Sequence, residues 1–402
     1  MFNKITSILA GWLIDGSGAA VQHEMRLDLE DGIIQSVRKM TAYGPDSSKT
    51  DSPGLDLSGC TLLPGLFDCH VHLAMSANVG RTVLADPDAT GKDRIHERII
   101  KHLNQYLATG ILAVRDGGDP DRSALHYKAS RCAGEHPTHV SAAGTAWHRP
   151  GHYGGLIGSA LPPGQTLEAA ILEEKEGVDH IKIVNSGLNS LTCYGKETAP
   201  QFNLAELKAA IMAAQQRGFK TMVHANGKIP VKFAVDAGCD SIEHGFFMGA
   251  ENLRNMAGRG TTWVPTAFTM QALRSKMTGD GSALNVCQKN LEHQMEQLKI
   301  ARDLGVRIAL GTDAGSAGVA HGRAVIAEMQ LLMDAGYRVE EAVQCASLHG
   351  AMLLGLARVG QLKKNWQATL IAVKGDPSQL PESLNQVKII IYKGKQVDIN
   401  IN

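Results

Sequence analysis

The chain has 402 residues, 44% of them hydrophobic and 5% aromatic, enough to bury a sizeable core in one large domain with an attachment or in two to three small domains. Its 40 Lys and Arg balance 40 Asp and Glu, so it offers no basic field for nucleic acid or an anionic membrane. No apolar run reaches the roughly 18 residues of a transmembrane helix, and 7 scattered cysteines without a C-x-x-C pair point to reduced thiols and a cytoplasmic setting.

In chain order, "ITSILAGWLI" (5–14) follows Lys4 in a way that superficially resembles a short signal peptide. The turn "IDGSG" (14–18) and a second strand-like run follow at once, which favours a strand. Alternation in "EMRLDLEDG" places Met25, Leu27 and Leu29 on one face. Residues 41–54 read as a polar loop. From residue 61 the pattern changes to eight short apolar runs separated by longer segments: 61–73, 111–118, 139–146, 180–187, 220–227, 241–247, 262–268 and 307–315. Helical spacing runs through 204–218 and 287–305, each closed by Gly, and 340–357 reads as one further helix. Eight strand-then-helix units predict an α/β fold, a parallel (β/α)8 TIM-like barrel over 61–358. The tail returns to short strands in "ATLIAVKGD" (368–376) and "VKIIIYKGKQVDI" (387–399). Both ends are β-rich, so residues 1–60 and 359–402 are expected to pair into one small β-sandwich domain with the barrel inserted between them.

His70 and His72 close the first run, "FDCHVHL". Side chains alternate along a strand, so the two rings share a face. An isolated H-x-H is as readily structural as metal-binding. The other runs change that balance: Lys182 sits inside the apolar "HIKIV", His224 ends "TMVHA", His244 ends "SIEH", and Asp313 lies in "GTDAG". A lone buried lysine is costly unless paired or neutralised. Barrel chemistry sits at the carboxyl ends of the strands, so the six residues predict a metal centre. Imidazole and carboxylate suit Zn2+, and two such ions about 3.5–4 Å apart can share a hydroxide whose pKa falls towards 7. An unmodified ammonium at position 182 would repel both.

The ordered set of His-x-His, Lys, His, His and Asp, carried by "LLPGLFDCHVHL", "IKI", "VHANG", "SIEHG" and "GTDAG", resembles the amidohydrolase superfamily over nearly the whole chain. "RDGG", "IKIVNSG", "SIEHG" and "GTDAG…HG" are similar to its imidazolonepropionase-like and Xaa-Pro-dipeptidase-like branch. The tail departs from the family's usual Gly-Lys followed by an Ala-Asp-Leu-like run, reading "GQLKKNWQATL" with Ala368, Thr369 and Leu370; that lies away from the metal residues. The resemblance implies two divalent metal ions, with His70, His72 and Asp313 on the more buried one, His224 and His244 on the other, and Lys182 bridging them after carboxylation by CO2. It also implies a metal-dependent hydrolase that cleaves a C–N amide or peptide-like bond in a small-molecule substrate, such as a dipeptide or an N-acyl amino acid. A metal-bridging hydroxide would attack, with Asp313 as general base and then acid. A lactonase or phosphotriesterase is the alternative, since the same hydroxide attacks other electrophiles. A deaminase would tend to use one metal and lack the lysine, and a non-catalytic scaffold would tend to lose ligands.

Substrate contacts must come from the loops after the strands. The candidates are His152 in "WHRPGHYGG", Tyr194 in "LTCYGKE" and His321 in "VAHGR". Arg115 and Asp116 are expected to form a structural ion pair. Exposed apolar helix faces leave a homo-oligomer open.

Overall fold

The alternating run at Met25, Leu27 and Leu29 forms the strand Gln22–Glu30 and buries all three side chains. The computed structural model describes residues 5–40, 54–77, 92–174, 177–277 and 281–398. The polar loop expected at 41–54 lies outside them except for Gly54.

Both ends of the chain enter one seven-stranded sheet, in the order Lys395–Val397, Val387–Tyr392, Leu370–Lys374, Leu55–Pro64, Ser7–Leu13, Gln22–Glu30 and Ile33–Lys39. Neighbours are antiparallel except Ser7–Leu13 and Leu55–Pro64, which run parallel. The sheet folds back on itself. Ile33 bridges Gln367, Ile34 N donates to Trp366 O at 2.8 Å, and Ala368 N donates to Gly32 O at 2.7 Å. The sandwich is therefore one continuous sheet around an apolar cluster that includes Ile8, Leu27, Leu57, Leu62, Leu370 and Ile391. From Pro64 the chain passes through Gly65 directly into Leu66–Val71, the first barrel strand.

The barrel strands are parallel, as eight βα units require. Leu66–Val71, Ile111–Asp116 and His139–Ala142 pair in sequence, and Ala146–His148, His180–Val184, Lys220–Ala225, Ser241–His244 and Thr262–Val264 continue the ring. The third run differs from the single strand expected. Gly144, at φ 74°, breaks it, so His139–Ala142 pairs backwards and Ala146–His148 pairs forwards. The eighth run forms no long strand among the described residues, because its backbone groups are shared between three partners. Arg307 O and Ala309 N bond to Trp263, Leu310 O accepts from Cys69 N at 2.9 Å, and Leu310 N donates to Cys345 O at 3.0 Å. Asp313 N donates to His70 O at 2.7 Å, which joins the eighth run to the first strand and closes the α/β barrel.

Helix Leu204–Gln216 falls where the spacing predicts, and Gly281–Asp303 covers most of the expected 287–305 but begins before it. The single helix expected over 340–357 is two, Val339–Ala346 and Leu348–Leu354. Ser347 leaves helical geometry at φ −130°, ψ −84°, its hydroxyl donates back to Val343 O at 2.6 Å, and Cys345 O is committed to the eighth run. No helix among the described residues is long and apolar enough to cross a membrane.

Candidate metal centre

The carboxyl ends of the barrel strands bring the six sequence-derived residues to one place. His70, His72, Lys182 and His224 are buried, and His244 and Asp313 partly so. One ligand atom each from His70, His72 and Asp313 lies within 4.8 Å of the others. Asp313 Oδ1 is 3.6 Å from His70 Nε2 and 3.4 Å from His72 Nε2. Ring centroids run from His72 to His70 at 5.6 Å, on to His244 at 4.9 Å and to His224 at 4.6 Å. This unbroken row of imidazoles ends on Tyr153, 5.3 Å beyond His224.

Each ring is held through one nitrogen, which leaves the other for a ligand. His70 Nδ1 meets Glu243 Oε2 at 2.8 Å. His72 Nδ1 donates to Gly118 O at 3.0 Å, and His244 Nδ1 meets Thr266 Oγ1 at 2.7 Å. These three rings offer Nε2. His224 is turned the other way, with Nε2 donating to Gly187 O at 3.2 Å, and offers Nδ1. Room for His72 depends on the glycine pair of "RDGG". A Cβ on Gly117 would stand 2.8 Å from His72 Cε1, and Gly118 adopts φ 88°.

Two of the six residues carry left-handed backbone, His244 at φ 68° and Asp313 at φ 60°. Non-glycine residues adopt that region at a cost, and such strain gathers at functional sites. His244 is pinned in it. Its carbonyl accepts from Trp263 Nε1 at 2.9 Å and from Gln294 Nε2 at 2.6 Å.

Burial holds all four imidazoles neutral, the form that binds metal. His72 is pushed down to about 4 and His224 to about 3, and His70 and His244 lie well below the ordinary value. Burial lowers Lys182 to about 8 against the opposing pull of Glu243. It raises Asp313 to about 7 against the pull of Lys182. Lys182 Nζ is enclosed and has no hydrogen-bond partner among the described residues.

Sequence reasoning missed Asp68, Glu243 and Thr266. Asp68 accepts from Thr312 Oγ1 at 2.6 Å and Thr312 N at 3.0 Å, tying the first strand to the eighth run just beside His70 and Asp313. An acidic residue inside an apolar run was the available signal for Asp68 and Glu243, the same one that marked Lys182. Thr266 gave no comparable signal. The Arg115–Asp116 pair is corrected: Arg115 Nη2 donates to Glu243 Oε1 at 2.8 Å, while Asp116 accepts from the amides of Leu73 and Gly118, both at 2.8 Å. Neighbouring strand residues point to opposite faces, so the two could not meet.

The three loop candidates are not drawn into the row. His152 is exposed, with Nδ1 turned to Pro150 O at 3.1 Å, and its neighbour Tyr153 takes the place beside His224. Tyr194 is exposed and packs edge-on against Phe247 at 5.5 Å. His321 is buried and stacked on His102 at 3.8 Å, and both its nitrogens are engaged, by Met75 O at 2.9 Å and Tyr106 Oη at 3.1 Å.

Residues 61–397 match the model of the amidohydrolase family. Ochratoxinase of Aspergillus niger is 25% identical over 97% of this chain and 86% of its own length. Imidazolonepropionase of Psychromonas ingrahamii is 23% identical over 88% of each. The crystal structure of a Xaa-Pro dipeptidase with bound methionine in the active site superposes with a TM-score of 0.81 at 28% identity, covering 98% of this chain and 99% of that one.

Proposed function

This chain belongs to the amidohydrolase family, and on that premise we propose that it uses two divalent ions, zinc first among them, to hydrolyse the C–N bond of a dipeptide or N-acyl amino acid. The observation that carries this reading is Lys182, a fully buried amine without a partner among the described residues and within electrostatic reach of all four histidines and Asp313. An ammonium there would oppose any cation. The free amine adds to CO2 through its lone pair, loses one proton and becomes an anionic carbamate with two oxygen donors. Lowering Lys182 to about 8 brings that free amine closer to neutral pH. His70, His72 and Asp313 would hold one ion, His224 and His244 the other, and the carbamate both.

Bound ions of this kind lower the pKa of water and polarise a carbonyl oxygen. The chain itself supplies proton transfer. Asp313, whose Oδ1 lies 3.6 Å from His70 Nε2 and 3.4 Å from His72 Nε2, takes a proton from the attacking water and hands it to the leaving nitrogen. Likeness to a Xaa-Pro dipeptidase supports a dipeptide-sized substrate.

The test is to load the protein with zinc in the presence of bicarbonate, count metal per chain, and screen dipeptides and N-acyl amino acids with lactones alongside. Two zinc ions and amide turnover are expected. Turnover of lactones alone would overturn the choice of bond, and one ion per chain would favour a deaminase.

A further inference from the structure

The four histidines differ in what holds them. Gly118 O, Gly187 O and Thr266 Oγ1 hold His72, His224 and His244, and all three are uncharged. Only His70 among them is held by a carboxylate, Glu243 Oε2, with both side chains shut away from solvent. The second oxygen of Glu243 is occupied too: Arg115 Nη2 donates to it at 2.8 Å and Ser241 Oγ at 2.5 Å. Arg115 is itself buried, with Nε donating to Cys69 O at 2.7 Å and Nη1 to Ser241 Oγ at 3.1 Å. The network ties Leu66–Val71 and Ile111–Asp116 to Ser241–His244, which lies across the barrel.

We propose that Glu243 is a positioning residue of the metal centre, fixing the ring and tautomer of His70 and strengthening its free nitrogen as a donor, with Arg115 anchoring the carboxylate. The inference rests on the metal-centre reading above. A carboxylate that accepts a ligand's N–H makes the imidazole more basic at its other nitrogen, and loss of such a partner typically weakens metal affinity about 10- to 100-fold. A buried ion pair is weak evidence for a stability role, since apolar residues of similar volume often serve as well or better. Its contact with His70 alone among the four histidines points to a role in the site instead.

The test is a chelator-competition titration of zinc on the full chain, with folding followed by circular dichroism and the visible spectrum recorded after cobalt substitution. Glu243→Gln keeps the shape and removes the charge, and is expected to weaken the tighter ion about 10- to 100-fold and to alter the cobalt spectrum. Because that variant strands the Arg115 cation, the double variant R115Q/E243Q is measured beside it; it removes both charges and is expected to stay weak. Thr266→Val, which deletes a neutral holder, is expected to lose several-fold less. A folded Glu243→Gln or double variant that binds zinc as tightly as the wild type overturns the inference while leaving the metal reading intact. Equal losses in Thr266→Val and Glu243→Gln overturn it as well. A wild-type chain that takes up no zinc overturns the metal reading and this inference with it.

Discussion

The barrel strands are buried along almost their whole length and those of the folded-over terminal sheet largely alternate, and the two regions fill their interiors in opposite ways. Inside the sheet, Ile8, Ala10, Leu13, Leu27, Leu62 and Leu370 meet one another, and burial of apolar surface is reason enough for them. At the mouth the buried positions are Asp68, His70, His72, Arg115, Lys182, His224 and Glu243, with left-handed backbone at His244 and Asp313. Every one of these choices costs stability relative to an apolar, relaxed strand. Two regions of one chain folded under the same rules, and among the described residues the buried charged and imidazole side chains gather in only one of them. Side-chain atoms of His70, His72 and Asp313 that could hold a metal converge in the same place, as expected where local rules give way to a functional site.

Substitutions in the two regions should therefore separate function from stability. The largest expected effect is at the mouth. Asp313→Asn should retain most of the bound metal and lower kcat about 10^2- to 10^4-fold, read from steady-state kinetics beside metal content. Near-normal kcat would remove the general-base role. Lys182→Met sharpens the contrast, because it replaces an unpartnered buried amine with an apolar chain. The metal-free protein should melt higher, by about 1 kcal/mol or more of stability, while zinc per chain falls and bicarbonate no longer assists reconstitution. A lower melting point with normal zinc content would contradict both halves. In the sheet the sign reverses: Leu62→Ala should remove about 2–5 kcal/mol by denaturant unfolding, with kcat per folded molecule unchanged. The smallest effect belongs to His152→Ala. Its exposed ring should shift stability by no more than about 0.5 kcal/mol and leave kcat as it was, and a large loss of kcat would return His152 to the site.

Much of this was readable in the residues. The metal candidates stood out because each interrupts an apolar run, Lys182 within it and the others towards its carboxyl end, and position within a run is local information. Leu27 and Leu62 belonged to runs whose alternation or apolarity marked them for burial. The split of the third run at Gly144 and the break at Ser347 were not readable, since each follows from who else needs the backbone groups: Cys345 O serves Leu310 N rather than continuing a helix. Tyr153 displaced His152 for a similar reason. Gln201 Nε2 donates to Tyr153 O at 2.7 Å, a contact between residues 48 apart that holds this loop and is not visible in any short stretch.

By itself the sequence indicated apolar runs alternating with helical segments, the β-rich ends, and six chemically apt residues on or beside those runs, because periodicity and residue type are properties of short stretches. Tertiary structure alone decided that three histidines offer Nε2 and the fourth Nδ1, that Arg115 pairs with Glu243 and not with Asp116, and that a carboxylate stands behind His70. Those outcomes depend on barrel closure. Strand one meets the eighth run through Asp313 N and His70 O, and side chains more than a hundred residues apart come within hydrogen-bond reach only when the ring is complete.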